Sequence, residues 1–200
     1  MDNPSYKDFN EYSYEIINGK IYAMTQPNIQ HIRITKNIFR QFDRYLDGKQ
    51  CEAFSDSLAV FYDETNRKNY VIPDVMIICN RDIIRFNGAY GSPDLIVEVL
   101  SSSTAQNDRT LKKDIYEKIG VKEYWIVDIN NRLVEVYLNK DGRFETDRFY
   151  LYLTDEEIAE NALLPVDDRN KVDYIDSIKV SLYDDLYVKL KDIFNNVYWI

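Results

Sequence analysis

The sequence predicts a mixed α/β domain in which a central β-sheet is flanked by helices. Two pairs of β-prone runs surround the turn dipeptides Asn18-Gly19 and Asn130-Asn131, a pattern typical of β-hairpins. Residues 95–100 form an almost continuous apolar run, as expected of a strand covered on both faces. Residues 27–47 and 108–119 instead show helical patterns. Strands interspersed with two main helices indicate the α/β class.

The helix predicted at residues 27–47 has two distinct faces. Its apolar positions recur at spacings of four, four and three: Ile34, Ile38, Phe42 and Tyr45. A basic stripe recurs on another face at spacings of three, four and four: Arg33, Lys36, Arg40 and Arg44. This stripe fits either an ordinary solvated face or a ridge that contacts phosphates.

Further strands are predicted on both sides of the apolar run. Residues 52–62 indicate one strand or a pair, and residues 71–79 a strand with Pro73 at a bend or edge. Residues 81–92 are expected to form a loop with some helical character.

The C-terminal part is predicted to complete the sheet. Gly120 should end the helix at residues 108–119. The second hairpin should join strands at residues 123–128 and 132–138, and residues 144–153 should add an edge strand. Residues 180–194 form an amphipathic stretch that should dock on the body of the domain.

Length and composition predict one globular domain over residues 1–200. The chain is 45% hydrophobic, enough for a packed core without disulfides. We find neither a signal peptide nor an apolar run long enough to cross a bilayer. Cys51 and Cys79 lie in apolar stretches and are expected to be buried free thiols in a reducing compartment, which predicts a cytoplasmic protein.

The net charge of −9 argues against a nucleic-acid-binding protein at first sight. Residues 155–200 contain eleven acidic and five basic residues, so the first 154 residues carry only −3. A body this close to neutral can still present a local basic face.

Two carboxylates in apolar strands suggest a metal site. Glu98 is the one charge in its strand, and a buried carboxylate needs a partner such as a salt bridge or a cation. Asp74 follows Pro73 and would by itself fit an ordinary strand-entry turn. Two carboxylates on neighbouring strands could instead hold Mg²⁺ where a phosphodiester is cut.

Lys112 is the third candidate. Asp108, Lys112 and Tyr116 are spaced by four and share one face of the predicted helix. Asp108 and Lys112 could form an exposed ion pair worth about 0.3–0.5 kcal/mol. If this face turns toward the sheet, the ammonium could position water or stabilise developing negative charge.

Taken together, these and other motifs resemble the Uma family of "putative restriction endonucleases", over about residues 14–138. The shared pieces are short and follow one another in a specific order: Glu15 with Gly19, His31, Pro73-Asp74-Val75, the run from Pro93 to Ser101, Ser103-Thr104, Asp108 to Lys112, Tyr116, and Gly120 to Asp128. A weaker echo covers residues 180–194. The region at 155–200 is expected to be an extension packed on this core.

The resemblance implies the restriction-endonuclease-like fold of the PD-(D/E)XK superfamily, Mg²⁺ or Mn²⁺ as cofactor, a DNA substrate and a homodimer. Asp74 matches the first metal-binding acid and Glu98 the second. Leu100 stands where the superfamily has a lysine. Lys112 on the following helix is the best match for that lysine, with Lys113 as the reserve.

Glu15 and His31 also match family positions. Glu15 could contact the metal or support it from behind, or it could stabilise the hairpin turn. His31, the only histidine, could belong to the site or be a packing or capping residue. Tyr116 is interpreted as a packed aromatic whose hydroxyl has a polar partner.

The leading hypothesis is a Mg²⁺-dependent nuclease with Asp74 and Glu98 as metal ligands. The alternatives are a catalytically inactive nucleic-acid-binding or assembly module on the same fold, and a structural partner protein. One histidine and no paired cysteine motif argue against a zinc site, and no glycine-rich phosphate-binding motif supports a nucleotide cofactor.

Overall fold

A computed structural model describes residues 14–55, 58–63, 68–101 and 104–198. Its centre is a six-stranded mixed sheet in the order β11-β10-β9-β8-β5-β3, in which only the β8–β9 pair is parallel. The strands of this sheet are β3 (Glu52–Ser55), β5 (Val75–Ile78), β8 (Leu95–Val99), β9 (Glu123–Asp128), β10 (Leu133–Lys140) and β11 (Arg143–Leu151).

One face of the sheet packs against α1 (Ile29–Leu46) and the C-terminal segment. The Asn28 side chain caps α1 by accepting hydrogen bonds from the backbone N–H groups of Gln30 and His31. The buried face of α1 consists of Ile34, Thr35, Ile38, Phe42 and Leu46. The C-terminal segment contributes a hairpin and a short helix to the same core: β12 (Ser177–Lys179), β13 (Tyr187–Lys189) and α5 (Leu190–Ile193).

The opposite face carries a helix that changes its pitch. It consists of α2 (Ala105–Asn107), a π-helical turn (Asp108–Lys112) and α3 (Lys113–Ile119), and Gly120 ends it with φ of 89°. We call these three pieces together the site helix. The hairpin of β1 (Tyr14–Ile17) and β2 (Lys20–Ala23) and a small sheet of β4 (Val60–Phe61), β6 (Ile84–Arg85) and β7 (Gly88–Tyr90) lie near it.

The prediction of a mixed α/β architecture is confirmed, and so are both hairpins and the first helix. Two local expectations need refinement, and one helix was not expected. The loop at residues 81–92 contains a 3-10 turn (Arg81–Ile83) and two short strands. The helix at 108–119 begins earlier and includes the π-turn. Helix α4 (Asp155–Leu163), capped by Thr154, was not expected.

The prediction of free thiols is wrong. Cys51 and Cys79 form a disulfide bond. They flank Glu52 and Ile78, which face each other in the antiparallel β3–β5 pair, so the strand register brings the two cysteines together. The inference from free thiols to a reducing compartment therefore fails. Among the described residues, no helix combines the length and the apolar character needed to span a membrane.

Candidate functional site

Asp74 and Glu98 lie at the same end of two neighbouring strands. Val75 faces Val97 in the antiparallel β5–β8 pair, and continuing this register by one residue places Asp74 opposite Glu98. Side chains of directly opposed residues point to the same face of a sheet. The Val99 N–H donates a hydrogen bond of 2.7 Å to Asp74 Oδ2, which fixes this carboxylate against β8.

Lys112 reaches this end of the sheet from the site helix. Its Nζ lies 2.9 Å from Glu15 Oε1, 3.1 Å from Glu98 Oε1 and 3.6 Å from Asp108 Oδ1. Lys112 is only 4% exposed and Asp108 only 1%. The interpretation of Asp108 and Lys112 as an exposed ion pair is therefore wrong.

Glu15 connects the first hairpin to the site. Its Oε1 accepts a hydrogen bond of 2.8 Å from the Ile72 N–H and also contacts Lys112. Other side chains support the hairpin turn: the Asn18 N–H donates to Tyr62 Oη, and the Gly19 N–H donates to Asn69 Oδ1. These contacts bring Glu15 beside Lys112, and among the described residues no side-chain contact joins Glu15 to the hairpin turn.

His31 enters the site from the first turn of α1. Its Nε2 lies 3.3 Å from Asp74 Oδ2, and both side chains are mostly buried. On the ring's other side, Nδ1 lies 3.5 Å from the Thr35 hydroxyl. The capping of α1 at Asn28 sets the position of His31 and so joins this helix to Asp74.

Tyr116 contacts Glu98 from the next turn of the site helix. It is fully buried, and its hydroxyl donates a hydrogen bond of 2.6 Å to Glu98 Oε1. The interpretation of Tyr116 as a packed aromatic with a polar partner is confirmed.

The site contains more carboxyl groups than cationic groups. We call Glu15, Asp74, Glu98 and Asp108 the carboxylate cluster, and Lys112 is the ammonium that lies among them. Burial raises the pKa of Glu98 well above its usual value, and Asp108 and Asp74 raise it further against the opposing effect of Lys112. Burial likewise raises the pKa of Asp108. Burial alone would lower the pKa of Lys112, but the carboxylates outweigh this effect and raise it.

This donor set is suited to a hard divalent cation, although it does not form a ready cage. Across the described parts of the chain, no three His, Cys, Asp or Glu side chains converge closely enough to hold a metal ion as they stand. The ammonium of Lys112 lies among the carboxylates instead. The cluster nevertheless offers only oxygen ligands, and both carboxylate oxygens of Asp108 lack a hydrogen-bond partner among the described residues.

The other residues that the sequence analysis singled out lie outside the carboxylate cluster. The Lys113 ammonium sits 3.5 Å from the centre of the Tyr137 ring, and no contact joins it to the carboxylate cluster. Leu100 is buried against the site-helix side of the sheet. Ser103 lies outside the described residues.

The basic stripe runs along the outside of α1. Lys36, Arg40 and Arg44 are exposed, and Arg33 stacks over the Tyr198 ring at 5.1 Å. Arg40 and Arg44 line a groove of about 630 Å³ between α1 and the C-terminal segment, together with Lys49, Lys189 and the acidic Asp185 and Asp192.

Sequence reasoning placed Asp108 and Tyr116 on the face of Lys112 but did not identify Asp108 as a buried member of the site. The signal was present in the flanking residues, because Leu111 and Ile115 make the same side of the helix apolar. A spacing of four fits an exposed ion pair equally well, so the pattern alone does not separate the two interpretations.

Comparisons with known proteins identify the family of this chain. The model of the Uma2 family, described as "Putative restriction endonuclease", matches residues 4–167. Two uncharacterized proteins of Synechocystis sp. are similar to the chain. One is 31% identical over 131 residues, covering 64% of this chain and 68% of the relative. The other is 30% identical over 151 residues, covering 74% and 80%.

A solved structure is similar over almost the whole fold. The crystal structure of "a putative nuclease belonging to DUF820" from Anabaena variabilis superposes with a TM-score of 0.64 at 22% sequence identity. The match covers 91% of this chain and 89% of that chain. This likeness and the mixed sheet flanked by helices show a restriction-endonuclease-like fold.

Proposed function

The chain belongs to the Uma2 family of "putative restriction endonucleases", and from that premise we propose that it is a divalent-metal-dependent nuclease that hydrolyses phosphodiester bonds in DNA. Asp74 and Glu98 are the proposed metal ligands, with Mg²⁺ or Mn²⁺ as the cation. Lys112 is the proposed catalytic cation, and Glu15 and His31 are proposed to position the others.

The excess of buried carboxylates over cations is the observation that carries this proposal. Burying an ionised carboxylate costs several kcal/mol unless a cation or hydrogen bonds compensate. One ammonium, that of Lys112, is shared among Glu15, Glu98 and Asp108, and burial makes ionisation of Glu98 and Asp108 costly, as their raised pKa values show. A divalent cation would supply the missing positive charge.

The residues then divide the chemistry among themselves. A bound divalent cation supplies polarisation of the phosphate and activation of a water molecule. Lys112 stays protonated, because the carboxylates raise its pKa, so it stabilises negative charge on the reacting phosphate rather than acting as a base. Glu15 holds the Lys112 ammonium in place, and His31 together with the Val99 N–H orients the carboxylate of Asp74.

The basic stripe supports a nucleic-acid substrate. His31, in the first turn of α1, contacts the site, and Arg44 lies about 20 Å further along the helix at 1.5 Å per residue. A nucleic-acid backbone bound at the site could therefore continue along Lys36, Arg40 and Arg44. We further propose a homodimer, in which two such sites could cut both strands of a duplex.

A catalytically inactive nucleic-acid-binding module is the second candidate. Leu100, at the position where the superfamily has its lysine, favours this alternative. The contact between Lys112 and Glu98 favours the enzyme.

A cleavage assay separates the two candidates. Purified protein would be incubated with supercoiled plasmid, single-stranded DNA and single-stranded RNA, each with Mg²⁺, Mn²⁺ or a chelator. We expect metal-dependent nicking of the plasmid. Cleavage confined to RNA would refute the DNA substrate, and salt-sensitive DNA binding without any cleavage would support the inactive module.

A further inference from the structure

Asp108 is a buried carboxylate whose oxygens accept no hydrogen bond and whose ion pair with Lys112 is long, at 3.6 Å. Only 1% of its surface is exposed, and neither of its carboxylate oxygens accepts a hydrogen bond from a described residue. The nearby Thr104 side chain lowers its pKa against the larger effect of burial, although it does not form a hydrogen bond with either carboxylate oxygen. A buried polar group without partners costs free energy, so this position needs an explanation.

The nearest cation, the ammonium of Lys112, does not supply the missing hydrogen bond. The ammonium of Lys112 lies 3.6 Å from Asp108 Oδ1, farther than it lies from Glu15 and Glu98. The two closer carboxylates take two of the three hydrogens that Lys112 donates, and its contact with Asp108 is longer than a hydrogen bond. Both carboxylate oxygens of Asp108 therefore remain able to bind a further cation.

The π-turn explains how Asp108 comes to point there. An α-helix has about 3.6 residues per turn, so two residues four positions apart are rotated by slightly more than one full turn about the helix axis. A π-turn, whose hydrogen bonds join residues five positions apart, has more residues per turn, so the same spacing gives slightly less than one full turn. From Asp108 through Lys112 to Tyr116 the deficit of the π-turn and the excess of the α-helical turn cancel, so Asp108 and Tyr116 point in nearly the same direction.

The hydroxyl of Tyr116 donates to Glu98 Oε1, so the side of the site helix that carries Asp108 and Tyr116 faces β8. The π-turn thus aims Asp108 at the end of the sheet where Asp74 and Glu98 stand. A wider helical turn is less favourable than a regular α-helix, and such turns frequently occur at functional sites.

We propose that Asp108 is a further ligand of the divalent cation, and that its carboxylate and those of Asp74 and Glu98 move together when the cation binds, since as they stand no three described acids converge closely enough to hold it. This inference rests on the proposed function, because it assumes that these two acids bind a metal. Carboxylate oxygens suit Mg²⁺, Mn²⁺ and Ca²⁺, so Mn²⁺ alone is a suitable probe. Binding would place a positive charge beside the unpartnered oxygens and remove the cost of burying them.

Mn²⁺ titration by calorimetry and thermal melting, both on protein freed of metal, test this inference. The variants are Asp108→Asn and, as a matched control on the same helix, the exposed Asp114→Asn. Wild type and Asp114→Asn should bind Mn²⁺ alike and gain melting temperature from it. Asp108→Asn should bind Mn²⁺ at least about tenfold more weakly and should melt no lower than wild type without metal, because a neutral amide costs less to bury than a carboxylate that accepts no hydrogen bond.

The outcomes are distinguishable from failure of the proposed function. If wild type binds Mn²⁺ and Asp108→Asn binds it with the same affinity, the role of Asp108 is refuted while the metal site stands. If Asp108→Asn melts lower without metal and keeps its affinity, Asp108 is only a structural partner of Lys112. If wild type itself takes up no Mn²⁺, both proposals fail. Asp108→Glu, which keeps the charge, serves if the Asn variant does not fold, and it should bind Mn²⁺ more weakly than wild type.

Discussion

The ammonium of Lys112 lies 3.1 Å from a carboxylate oxygen of Glu98, although the two residues are 14 positions apart and belong to different elements. Leu100 occupies the strand position two residues after Glu98, where the resemblance to the superfamily predicts a lysine. The site helix thus supplies the positive charge that strand β8 lacks. This geometry favours Lys112 over Lys113 as the functional lysine, since Lys113 packs on Tyr137 instead.

Replacing Lys112 should separate metal binding from cleavage. In Lys112→Met, cleavage should fall by orders of magnitude while Mn²⁺ still binds. The metal-free protein should lose about 3–5 kcal/mol of unfolding free energy, because the buried carboxylates lose their cation. Urea denaturation and cleavage rates measure the two effects, with Lys113→Met as the control. Full cleavage activity in Lys112→Met would assign the catalytic charge elsewhere.

Removing the His31 ring should weaken metal binding without unfolding the protein. His31 contacts Asp74 Oδ2, and residues that orient a metal ligand typically contribute a factor of about 10–100 to metal affinity. We therefore expect His31→Ala to raise the Kd for Mn²⁺ by about that factor in calorimetry. Lys36→Ala, an exposed change on the same helix, should leave the Kd unchanged. Equal affinity in His31→Ala and wild type would make His31 a packing residue.

The basic stripe should control the salt dependence of DNA binding. Each phosphate contact contributes about one to the slope of log affinity against log salt concentration. The double variant Arg40→Ala/Arg44→Ala should lower this slope by about two in fluorescence anisotropy with metal-free protein. Lys118→Ala/Lys179→Ala removes the same charge from other exposed positions and should change it less. An equal reduction in both variants would mean that the stripe is only a solvated face.

Glu123 should make stability depend on pH. Its carboxylate is fully buried, accepts hydrogen bonds from Trp125 Nε1 and the Ser181 N–H, and has a pKa that burial raises. A glutamate in the unfolded chain has a pKa of about 4.3. Because the pKa of Glu123 is higher in the folded protein, the folded state keeps this proton over a pH range in which the unfolded chain has already lost it. The contribution of Glu123 to the unfolding free energy is therefore largest at acidic pH and decreases as pH rises through the folded pKa.

Glu123→Gln isolates this effect. Relative to wild type, the variant should gain unfolding free energy as pH rises from about 4.5 toward neutrality, as measured by urea denaturation in a chelator. Glu160→Gln, which replaces an exposed glutamate, is the control for the loss of a surface carboxylate. A constant difference between Glu123→Gln and wild type over this range would show that burial does not shift the pKa of Glu123.

The sequence predicts that Asp74 and Glu98 lie on neighbouring strands because each carboxylate lies in or beside an apolar run. Each carboxylate interrupts or precedes an apolar run, and such runs become adjacent strands in a buried sheet. The apolar spacing of α1 likewise identifies its buried face. These local patterns predict the structure because the apolar side chains that form them are the ones whose burial stabilises the folded protein.

The disulfide and the π-turn could not be predicted for a different reason. Cys51 and Cys79 are 28 residues apart, and only the register between β3 and β5 brings them together. The π-turn leaves the spacing of Asp108 and Lys112 unchanged in the sequence, and it changes only the direction in which they point. Both depend on how elements pack, which hydrophobic spacing does not encode.

The central claim is that Asp74 and Glu98 hold the metal with which the protein cuts DNA. The most direct measurement is the initial rate of plasmid nicking by wild type, Asp74→Asn and Glu98→Gln at saturating DNA, over a range of Mg²⁺ and Mn²⁺ concentrations. These near-isosteric variants remove charge and little volume, and circular dichroism would verify their folding. The account predicts metal-dependent nicking by wild type, its abolition by a chelator, and a loss of at least about a hundredfold in each variant. Nicking that persists in both folded variants, or that needs no divalent cation, would contradict it.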